Sequence, residues 1–321
     1  MQSVVVKACS NIALVKYWGK RQLEGNIPAV GSVSIGLEDL WSRTRISKAD
    51  AASHQICIDG ALQGKSVERA DQFVREFCAE FGKSTPLTID SENNFPTGAG
   101  LASSASGFAA LTMALNTFLD VGLEGEELAR FARRGSGSAA RSLFGGYVEM
   151  TADDDATARP LCQADYWPLD VIIAITQMEE KHIGSTEGME HTARTSPYYA
   201  KWVSSHPQDM EIAREAILAR DFKDLARVSE HSCLKMHAVM MSANPGLIYW
   251  NSVTLALIHH IRVLQEQGLG LFFTIDAGPQ VKIICNPSDT QDVLGEIKTI
   301  PGVIQTRLTR VGGEPLIEIT Q

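Results

Sequence analysis

The segment from Phe95 to Gly107, FPTGAGLASSASG, constrains the fold more than any other part of this 321-residue sequence. Its glycines, alanines and serines stand directly before a stretch in which Phe108, Leu111 and Leu115 recur at helical spacing. Small residues let backbone N–H groups approach an anion closely, and the N-terminus of a following helix favours negative charge. The segment therefore predicts a polyphosphate-binding loop that leads into a helix.

Within this loop, the residues expected to contact a bound phosphate chain are Gly98, Ala99, Gly100, Leu101, Ala102, Ser103 and Ser104. The hydroxyls of Ser103 and Ser104 are also candidate ligands for Mg²⁺, which prefers oxygen ligands. The segment matches neither the Walker A pattern nor the dinucleotide-binding glycine pattern. The alternative is a packing site in which small residues allow the helix to approach its neighbours closely.

Predicted strands and helices follow one another without a strict βαβα rhythm, which indicates the α+β class. Apolar and β-branched runs predict strands at residues 4–6, 33–37, 169–175, 271–275, 281–285, 303–308 and 316–319. Helical spacing predicts helices at residues 66–82, from 103 onward, and at 126–134, 209–218, 221–241, 249–267 and 289–298. Ser66 and Gly82 are expected to cap the first of these helices. The acidic stretch 152–160 predicts a boundary between a domain at 1–160 and a domain at 161–321.

Composition narrows the class of function. The formal net charge of −9 argues against a general nucleic-acid binder, which normally carries an excess of basic residues. No apolar run approaches the roughly 18 residues that span a bilayer, and the N-terminus lacks a secretory signal, so a cytoplasmic enzyme without a membrane partner is expected. The six cysteines are scattered without a C-x-x-C pair, which predicts neither a zinc site nor disulfides.

Lys16 and Lys20 lie four residues apart, so a helical turn would put both ammonium groups on one face and form a local anion site. Tyr17 and Trp18 between them could shield that site from water. A solvated helix face is the alternative. In a second segment, glycines separate hydroxyls before a short predicted helix from which Arg141 would emerge, able to bind a carboxylate through two parallel hydrogen bonds. A surface ion pair is the alternative for Arg141.

Asp276 follows an apolar strand-like run and precedes Ala-Gly-Pro, a sequence that ends a strand in a tight turn. A carboxylate is thus expected at the end of a strand, where it either acts chemically or only serves the turn. His231 and His237 lie six residues apart, which is the wrong spacing for two metal ligands on one helical face. No chemistry is assigned to His237.

From Pro96 to Ala105 the sequence resembles the phosphate-binding motif P-x-x-x-G-L-x-S-S-A of the galactokinase, homoserine kinase and mevalonate kinase (GHMP) superfamily. Within it, the segments that are similar to diphosphomevalonate decarboxylases are SNIALVKYWGKR at 10–21, RRGSGSAARSLFGGYV at 133–148, GSTEGM at 184–189, CLKMHA at 233–238 and TIDAGPQV at 274–281. The resemblance implies a two-domain GHMP-kinase fold. An N-terminal mixed α/β nucleotide-binding domain and a C-terminal ferredoxin-like α/β domain would enclose the active site in the cleft between them.

The same resemblance implies roles for individual residues. Lys16, Arg141 and Asp276 would be catalytic: Lys16 reaches the reacting centre, Arg141 holds the carboxylate, and Asp276 orients a tertiary hydroxyl and accepts its proton. Tyr17, Trp18, Gly19 and Lys20 would hold a diphosphate. Further substrate contacts would come from Arg69, Ser136, Gly137, Ser138, Ala139, Ala140, Ser185 and Thr186.

The implied reaction uses ATP and Mg²⁺ to convert mevalonate 5-diphosphate to isopentenyl diphosphate, ADP, phosphate and CO₂, by phosphorylation of the tertiary hydroxyl and loss of phosphate and CO₂. The family suggests a homodimer. The sequence departs from the family pattern at Cys9, at Val30-Gly31 and at Gln280. These departures leave two alternatives open: a relative that acts on mevalonate 5-phosphate, and a small-molecule kinase that stops at phosphorylation. A non-catalytic nucleotide-binding protein is a further alternative, against which the presence of Lys16, Arg141 and Asp276 together argues.

Overall fold

The computed structural model of the chain describes residues 2–22, 24–95, 103–179 and 183–320. Its strands are β1 (Ser3–Val15), β2 (Lys20–Gln22), β3 (Ile27–Pro28), β4 (Ser32–Lys48), β5 (Gln55–Ile58), β6 (Leu87–Asn93), β7 (Tyr147–Met150), β8 (Ala158–Cys162), β9 (Asp170–Ile175), β10 (Leu271–Ile275), β11 (Val281–Cys285), β12 (Gln305–Arg310) and β13 (Leu316–Thr320). Its α-helices are α1 (Lys65–Glu80), α2 (Ser103–Phe118), α3 (Gly125–Gly135), α4 (Ser185–Thr195), α5 (Tyr199–Ala219), α6 (Phe222–Met241), α7 (Ser252–Glu266) and α8 (Thr290–Thr299).

The first sheet has seven strands, and its main path runs β13-β1-β4-β6-β5. The long strand β4 pairs with β6 along one half and with β7 along the other, and β8 adds to β7. All of these pairs are antiparallel except β5–β6. Val4, Val6 and Ala8 of β1 pack against apolar residues of α1, α2 and α3, so one face of the sheet is covered by helices.

The second sheet has the order β10-β11-β9-β12, and every neighbouring pair is antiparallel. Helices α4 to α7 connect β9 to β10, and α8 connects β11 to β12. This succession of strand, helices, two strands, helix and strand is the ferredoxin-like arrangement. Continuous apolar runs such as Val281–Cys285 are buried along their whole length, as expected for strands that are covered on both faces.

Most predicted elements are confirmed, but strands β2, β3 and β5 to β8 were not predicted, and three points about the helices need correction. Helix α1 begins at Lys65 with Gly64 as its N-cap, so the prediction that Ser66 caps it was wrong, although Gly82 follows its end at φ +61°. Helix α4 was not predicted, because its sequence STEGMEHTART has few apolar residues. Helix α5 begins ten residues earlier than predicted and continues through Pro207, a residue that normally marks a helix boundary.

The last strand returns to the first sheet. Strand β13 pairs with β1 from Ser3 opposite Thr320 to Lys7 opposite Leu316. The predicted division at residue 160 stays a prediction, and β8 crosses that position. Among the helices of the described ranges, none is both long and apolar enough to cross a membrane.

Candidate active site in a cleft lined by both halves of the chain

A cleft of about 720 Å³ is lined by residues from both halves of the chain. Most of the site residues that were predicted from the sequence line this cleft. The predicted site residues that line it are Tyr17, Trp18, Lys20, Arg69, Ser103, Ser104, Ser136, Gly137, Ser138, Arg141, Ser185, Thr186 and Asp276. Four others, Lys16, Gly19, Ala139 and Ala140, are buried in the walls behind this lining. The predicted loop residues Gly98, Ala99, Gly100, Leu101 and Ala102 lie outside the described residues.

An ion pair between Lys16 and Asp276 joins the two halves at the cleft. Lys16 directly follows β1 and Asp276 directly follows β10, and Lys16 Nζ lies 2.5 Å from Asp276 Oδ1. A second ammonium group, that of Lys282 in β11, lies 3.2 Å from Asp276 Oδ2. Sequence reasoning missed Lys282. The sequence did contain a sign of this contact, because Lys282 is a charged residue inside the otherwise apolar strand Val281–Cys285, and a charge in a buried strand needs a partner.

The surroundings of Asp276 favour its charged form. Burial alone would raise the pKa of Asp276, but the ammonium groups of Lys16 and Lys282 outweigh this and hold the pKa well below its ordinary value. Burial lowers the pKa of Lys282. Asp276 is therefore a carboxylate at neutral pH, and its hydrogen bonds fix the direction of both oxygens.

Helix α6 positions both sides of this ion pair. The Ser232 hydroxyl accepts the backbone N–H of Lys16 at 3.0 Å, which fixes the chain just after β1. One turn of the same helix holds the last residue of β10: the Cys233 sulfur accepts the N–H of Ile275 at 3.2 Å, and His237 Nε2 lies 3.2 Å from the Ile275 carbonyl oxygen. Two chain segments far apart in sequence are thus aligned on one helix.

Arg141 lies in a short 3₁₀ helix, Ala139–Leu143, and is 4% exposed. Its Nε and Nη2 donate to Asn11 Oδ1 at 3.2 and 3.0 Å, and its Nη1 donates to Ser32 Oγ at 2.7 Å. Burial lowers the pKa of Arg141 to about 10, so it keeps its charge at neutral pH. The surface ion pair that was the alternative for Arg141 is absent from the described contacts. Asn11, a polar residue within the apolar strand β1, was not predicted.

The segment from Lys16 to Lys20 is not helical, so the prediction that both lysines share a helical face was wrong. It continues from β1 into β2, and Gly19 adopts φ +105°, which a helix does not allow. A Cβ at Gly19 would collide with the Tyr199 hydroxyl. Lys16 therefore points to Asp276, whereas Lys20 Nζ donates to Thr186 Oγ1 at 3.0 Å.

Polar side chains line the floor of the cleft on the side of the first sheet. The hydroxyl of Ser136 lies 3.2 Å from that of Ser104 and 3.3 Å from that of Ser138. Arg69 Nη2 donates to the Gly135 carbonyl oxygen at 3.0 Å, and burial lowers the pKa of Arg69. The start of α2 and the Gly-Ser segment after α3 therefore meet at one place, next to the basic side chain of Arg69.

A smaller pocket of about 90 Å³ opens beside the start of α2. It shares Ser66, Arg69, Ser103 and Ser104 with the cleft. Its walls are mainly apolar and come from Ile56, Ile58, Ala70, Ile89, Phe108 and Leu111. A flat apolar group can therefore lie in this pocket while an attached anionic chain reaches the cleft.

The residues that depart from the family pattern are packing residues. Val30 is buried in a cluster with Trp18, and a Cβ at Gly31 would press on the Met150 carbonyl oxygen and on Met210. The Gln280 side chain accepts the N–H of Thr176 at 2.7 Å. In the described part of the chain none of these three residues lines the cleft.

Comparison with known proteins agrees with the resemblance found in the sequence. A diphosphomevalonate decarboxylase of Candida albicans is 35% identical over 315 residues, which cover 92% of this chain and 87% of that protein. The diphosphomevalonate decarboxylase of Saccharomyces cerevisiae is 34% identical, with 85% and 75% covered.

Solved structures of similar proteins confirm the fold class. A structure described as MDDEF in complex with MVAPP, AMPPCP and magnesium has a TM-score of 0.92 at 30% identity, with 99% of both chains covered. The mevalonate diphosphate decarboxylase of Staphylococcus aureus has a TM-score of 0.91 at 34% identity, with 99% of this chain and 98% of that chain covered.

Two family models match along the chain. Residues 8–160 match the diphosphomevalonate decarboxylase-like N-terminal domain, and residues 171–315 match the mevalonate 5-diphosphate decarboxylase C-terminal domain. The resemblance that was read from the Lys16, Arg141 and Asp276 segments is thereby confirmed. The chain belongs to the diphosphomevalonate decarboxylase family.

Proposed function

We propose that this chain is an ATP-dependent decarboxylase that converts mevalonate 5-diphosphate to isopentenyl diphosphate, ADP, phosphate and CO₂. The observation that carries the proposal is the ion pair of the buried Lys16 with Asp276 at a cleft that Arg141 also lines. A carboxylate, an ammonium and a guanidinium group that converge on one cleft are suited to hold an anionic substrate and a hydroxyl group together.

We propose that the diphosphate of the substrate binds at the Lys20 end of the cleft. Lys20 Nζ and the Thr186 hydroxyl are already in contact there, and Tyr17, Ser138 and Ser185 line the same cleft. The segment Trp18-Gly19 is supported from behind, because Trp202 Nε1 donates to the Trp18 carbonyl oxygen at 3.0 Å. The cationic and hydroxyl groups supply the donors that phosphate oxygens require.

Arg141 would hold the carboxylate that leaves as CO₂. In the described part of the chain, three of its five N–H donors bind Asn11 and Ser32, so the others can reach a bound carboxylate. Because Arg141 and its partners are buried, this hydrogen bonding is stronger than it would be in water. The guanidinium group would fix the carboxylate relative to Asp276.

ATP and Mg²⁺ would bind at the start of α2. The apolar pocket beside Ser103 and Ser104 is suited to a nucleobase, and the adjoining hydroxyls and helix N-terminus are suited to its phosphates. Serine hydroxyls are suitable oxygen ligands for Mg²⁺, which would neutralise charge on the phosphate chain. The predicted loop residues 98–102 would add backbone donors.

In the proposed reaction, Asp276 orients the tertiary hydroxyl of the substrate and receives its proton as the γ-phosphoryl group of ATP is transferred to that oxygen. Since the pKa of Asp276 lies well below its ordinary value, Asp276 is a weak base, which fits a loose transition state in which the proton leaves late. The C–CO₂ bond then breaks, its electron pair forms the double bond, and phosphate and CO₂ leave.

An assay of the purified protein with ATP and each of mevalonate, mevalonate 5-phosphate and mevalonate 5-diphosphate tests this proposal. We expect equal amounts of ADP and CO₂ from the 5-diphosphate only. ADP without CO₂ would instead support a small-molecule kinase, and CO₂ from the 5-phosphate would support the related decarboxylase. Binding of ATP without either product would support a non-catalytic protein.

The remaining expectations are also proposals. We propose that the protein acts in the cytoplasm as a homodimer, as the family resemblance implies, and that residues 1–160 and 161–321 form its two domains. The separate four-stranded sheet β9–β12 supports a second domain. Light scattering on the purified protein tests the dimer, since a mass of twice 34.9 kDa is expected.

A further inference from the structure

The Asp276 carboxylate is bound by two lysines whose side chains are each only 1% exposed. Each lysine takes one oxygen: Lys16 lies at Oδ1 and Lys282 lies at Oδ2. The Asp276 side chain is 26% exposed and lines the cleft, whereas neither lysine is part of the described lining. For Lys16 to reach a bound substrate, its contact with Asp276 must therefore change.

The charges around Asp276 sum to an excess of positive charge. The ionisable groups that face it from the surrounding elements are Lys16 after β1, Lys282 in β11, Cys233 and His237 in α6, and Arg141. Burial raises the pKa of Cys233 to about 11 and lowers that of His237 to about 3, so both are neutral near pH 7. Among the described residues, the charged groups that act on this carboxylate are therefore three cations, of which Lys16 and Lys282 contact it.

The Asp276 carboxylate is only 26% exposed, so with a single counter-ion it would release that partner at a cost, because a largely desolvated charge without a partner is destabilising. With two counter-ions, one can leave while the other keeps the carboxylate paired and oriented. Lys282 is the one suited to stay, since it projects from the middle of the second sheet, where its neighbours in register are Thr274 of β10 and Ile173 of β9. Lys16 follows the end of β1 and belongs to the segment that borders the cleft.

We propose that Lys282 is a positioning residue that remains the counter-ion of Asp276 during the reaction. The Lys16 side chain can then leave Asp276, and its ammonium group can contact the phosphoryl group that the bound substrate receives. This inference rests on the proposed function. Lys282 acts through Asp276 and does not touch the substrate. Without it, Lys16 would be the one ion-pair partner of the carboxylate among the described residues and would stay bound to it.

Kinetics of Lys282→Met and Lys282→Arg test the proposal. The methionine keeps a long side chain without its charge, and the arginine keeps the charge. We expect Lys282→Met to lose on the order of tenfold or more in kcat while KM for the 5-diphosphate changes by less than about threefold, because Lys282 does not touch the substrate and its loss holds Lys16 at Asp276 during the reaction. Lys282→Arg should recover most of kcat. Lys282→Gln replaces the methionine variant if the latter does not fold.

The matched control is Lys235→Met, which also removes an ammonium group from a buried carboxylate. Lys235 Nζ lies 2.5 Å from Asp209 Oδ2, away from the cleft lining. This variant should lower the unfolding temperature without changing kcat. A folded Lys282→Met protein with wild-type kcat would overturn the proposal, as would an equal loss in Lys282→Arg. If the wild-type protein itself releases no ADP or CO₂, the proposed function fails instead.

Discussion

Arg141 is only 4% exposed, so its hydrogen-bond geometry matters as much as its charge. We expect Arg141→Lys to lower CO₂ release by about a hundredfold, because an ammonium group cannot donate to Asn11 and a carboxylate in the same plane. Measurement of CO₂ and ADP together shows whether phosphorylation continues without decarboxylation. The control Arg134→Lys changes an arginine that pairs with Glu80 at the surface, and it should retain wild-type rates. Equal rates in both variants would remove Arg141 from the mechanism.

The charge balance of the cleft depends strongly on the Asp276 carboxylate. The substitution Asp276→Asn removes the negative charge that Lys16 and Lys282 both contact, so two buried ammonium groups lose the carboxylate that lies between them. We expect kcat to fall by about a thousandfold or more, while ATP affinity measured by calorimetry stays near the wild-type value. Full turnover in this variant would show that Asp276 neither orients the hydroxyl nor accepts its proton.

Gly19 is required by both its backbone angle and its surroundings. We expect Gly19→Ala to be destabilised by more than the roughly 1–2 kcal/mol of left-handed strain alone, and to raise KM for the 5-diphosphate, because the new Cβ collides with Tyr199. Gly60→Ala is the control: Gly60 has φ +79° and open space around its Cβ position. Urea unfolding and KM of the two variants separate strain from collision, and an unchanged KM in Gly19→Ala would contradict the assigned diphosphate position.

At the scale of the elements, α6 aligns the two halves of the site, and two of its serines allow a matched test. We expect Ser232→Ala to cost about 1–3 kcal/mol of stability and to lower kcat, since the buried N–H of Lys16 loses its acceptor. Ser229 is equally buried on the same helix, but its hydroxyl has no hydrogen-bond partner among the described residues. Ser229→Ala should therefore be close to neutral in both measurements. The reverse order of effects would refute the role given to α6.

The strands of the second sheet were predictable because burial leaves a direct record in the sequence, whereas β5 to β8 of the first sheet were not predicted. Each apolar run of the second sheet, such as Leu271–Ile275, appears as a strand within one or two residues of its prediction. Helix α4 was not predictable in this way, because it buries only Gly188, Met189 and Thr192 and so has no apolar stripe.

The residues of the candidate site were predicted from motifs, but their partners were not. The sequence pattern predicted that Asp276 lies at the end of a strand, and the structure confirms this. The pattern did not predict that Lys16 and Lys282 bind opposite oxygens of the Asp276 carboxylate. These contacts depend on sheet register and on helix α6. Asn11 was missed for the same reason, because only the fold brings it to Arg141.

For the whole molecule, a buried histidine links stability to pH. His206 of α5 is 1% exposed and its Nε2 lies 2.8 Å from the Gly31 carbonyl oxygen, which ties the second half of the chain to the first. Burial lowers the pKa of His206 from 6.5 to about 4. Between these pH values the His206 imidazole binds a proton in the unfolded chain but not in the folded chain. The contribution of His206 to stability is therefore complete above pH 6.5 and is lost as the pH falls from 6.5 towards 4.

We expect His206→Gln to lose less stability on acidification than the wild-type protein, by on the order of 3 kcal/mol between pH 7 and pH 4. The glutamine amide can still donate to Gly31 but does not titrate. Urea unfolding of both proteins at several pH values measures the difference. Identical pH slopes would show that His206 is not responsible for the acid sensitivity.

Because β13 pairs with β1, the first sheet can be completed only after the last strand of the chain has been synthesised. Residues 3–7 leave the ribosome early, but their partners at 316–320 emerge about three hundred residues later. Throughout that interval one edge of the first sheet is open, and an open edge can pair with another nascent chain. The first sheet therefore stays incomplete at β1 until the strands of the second sheet have been synthesised.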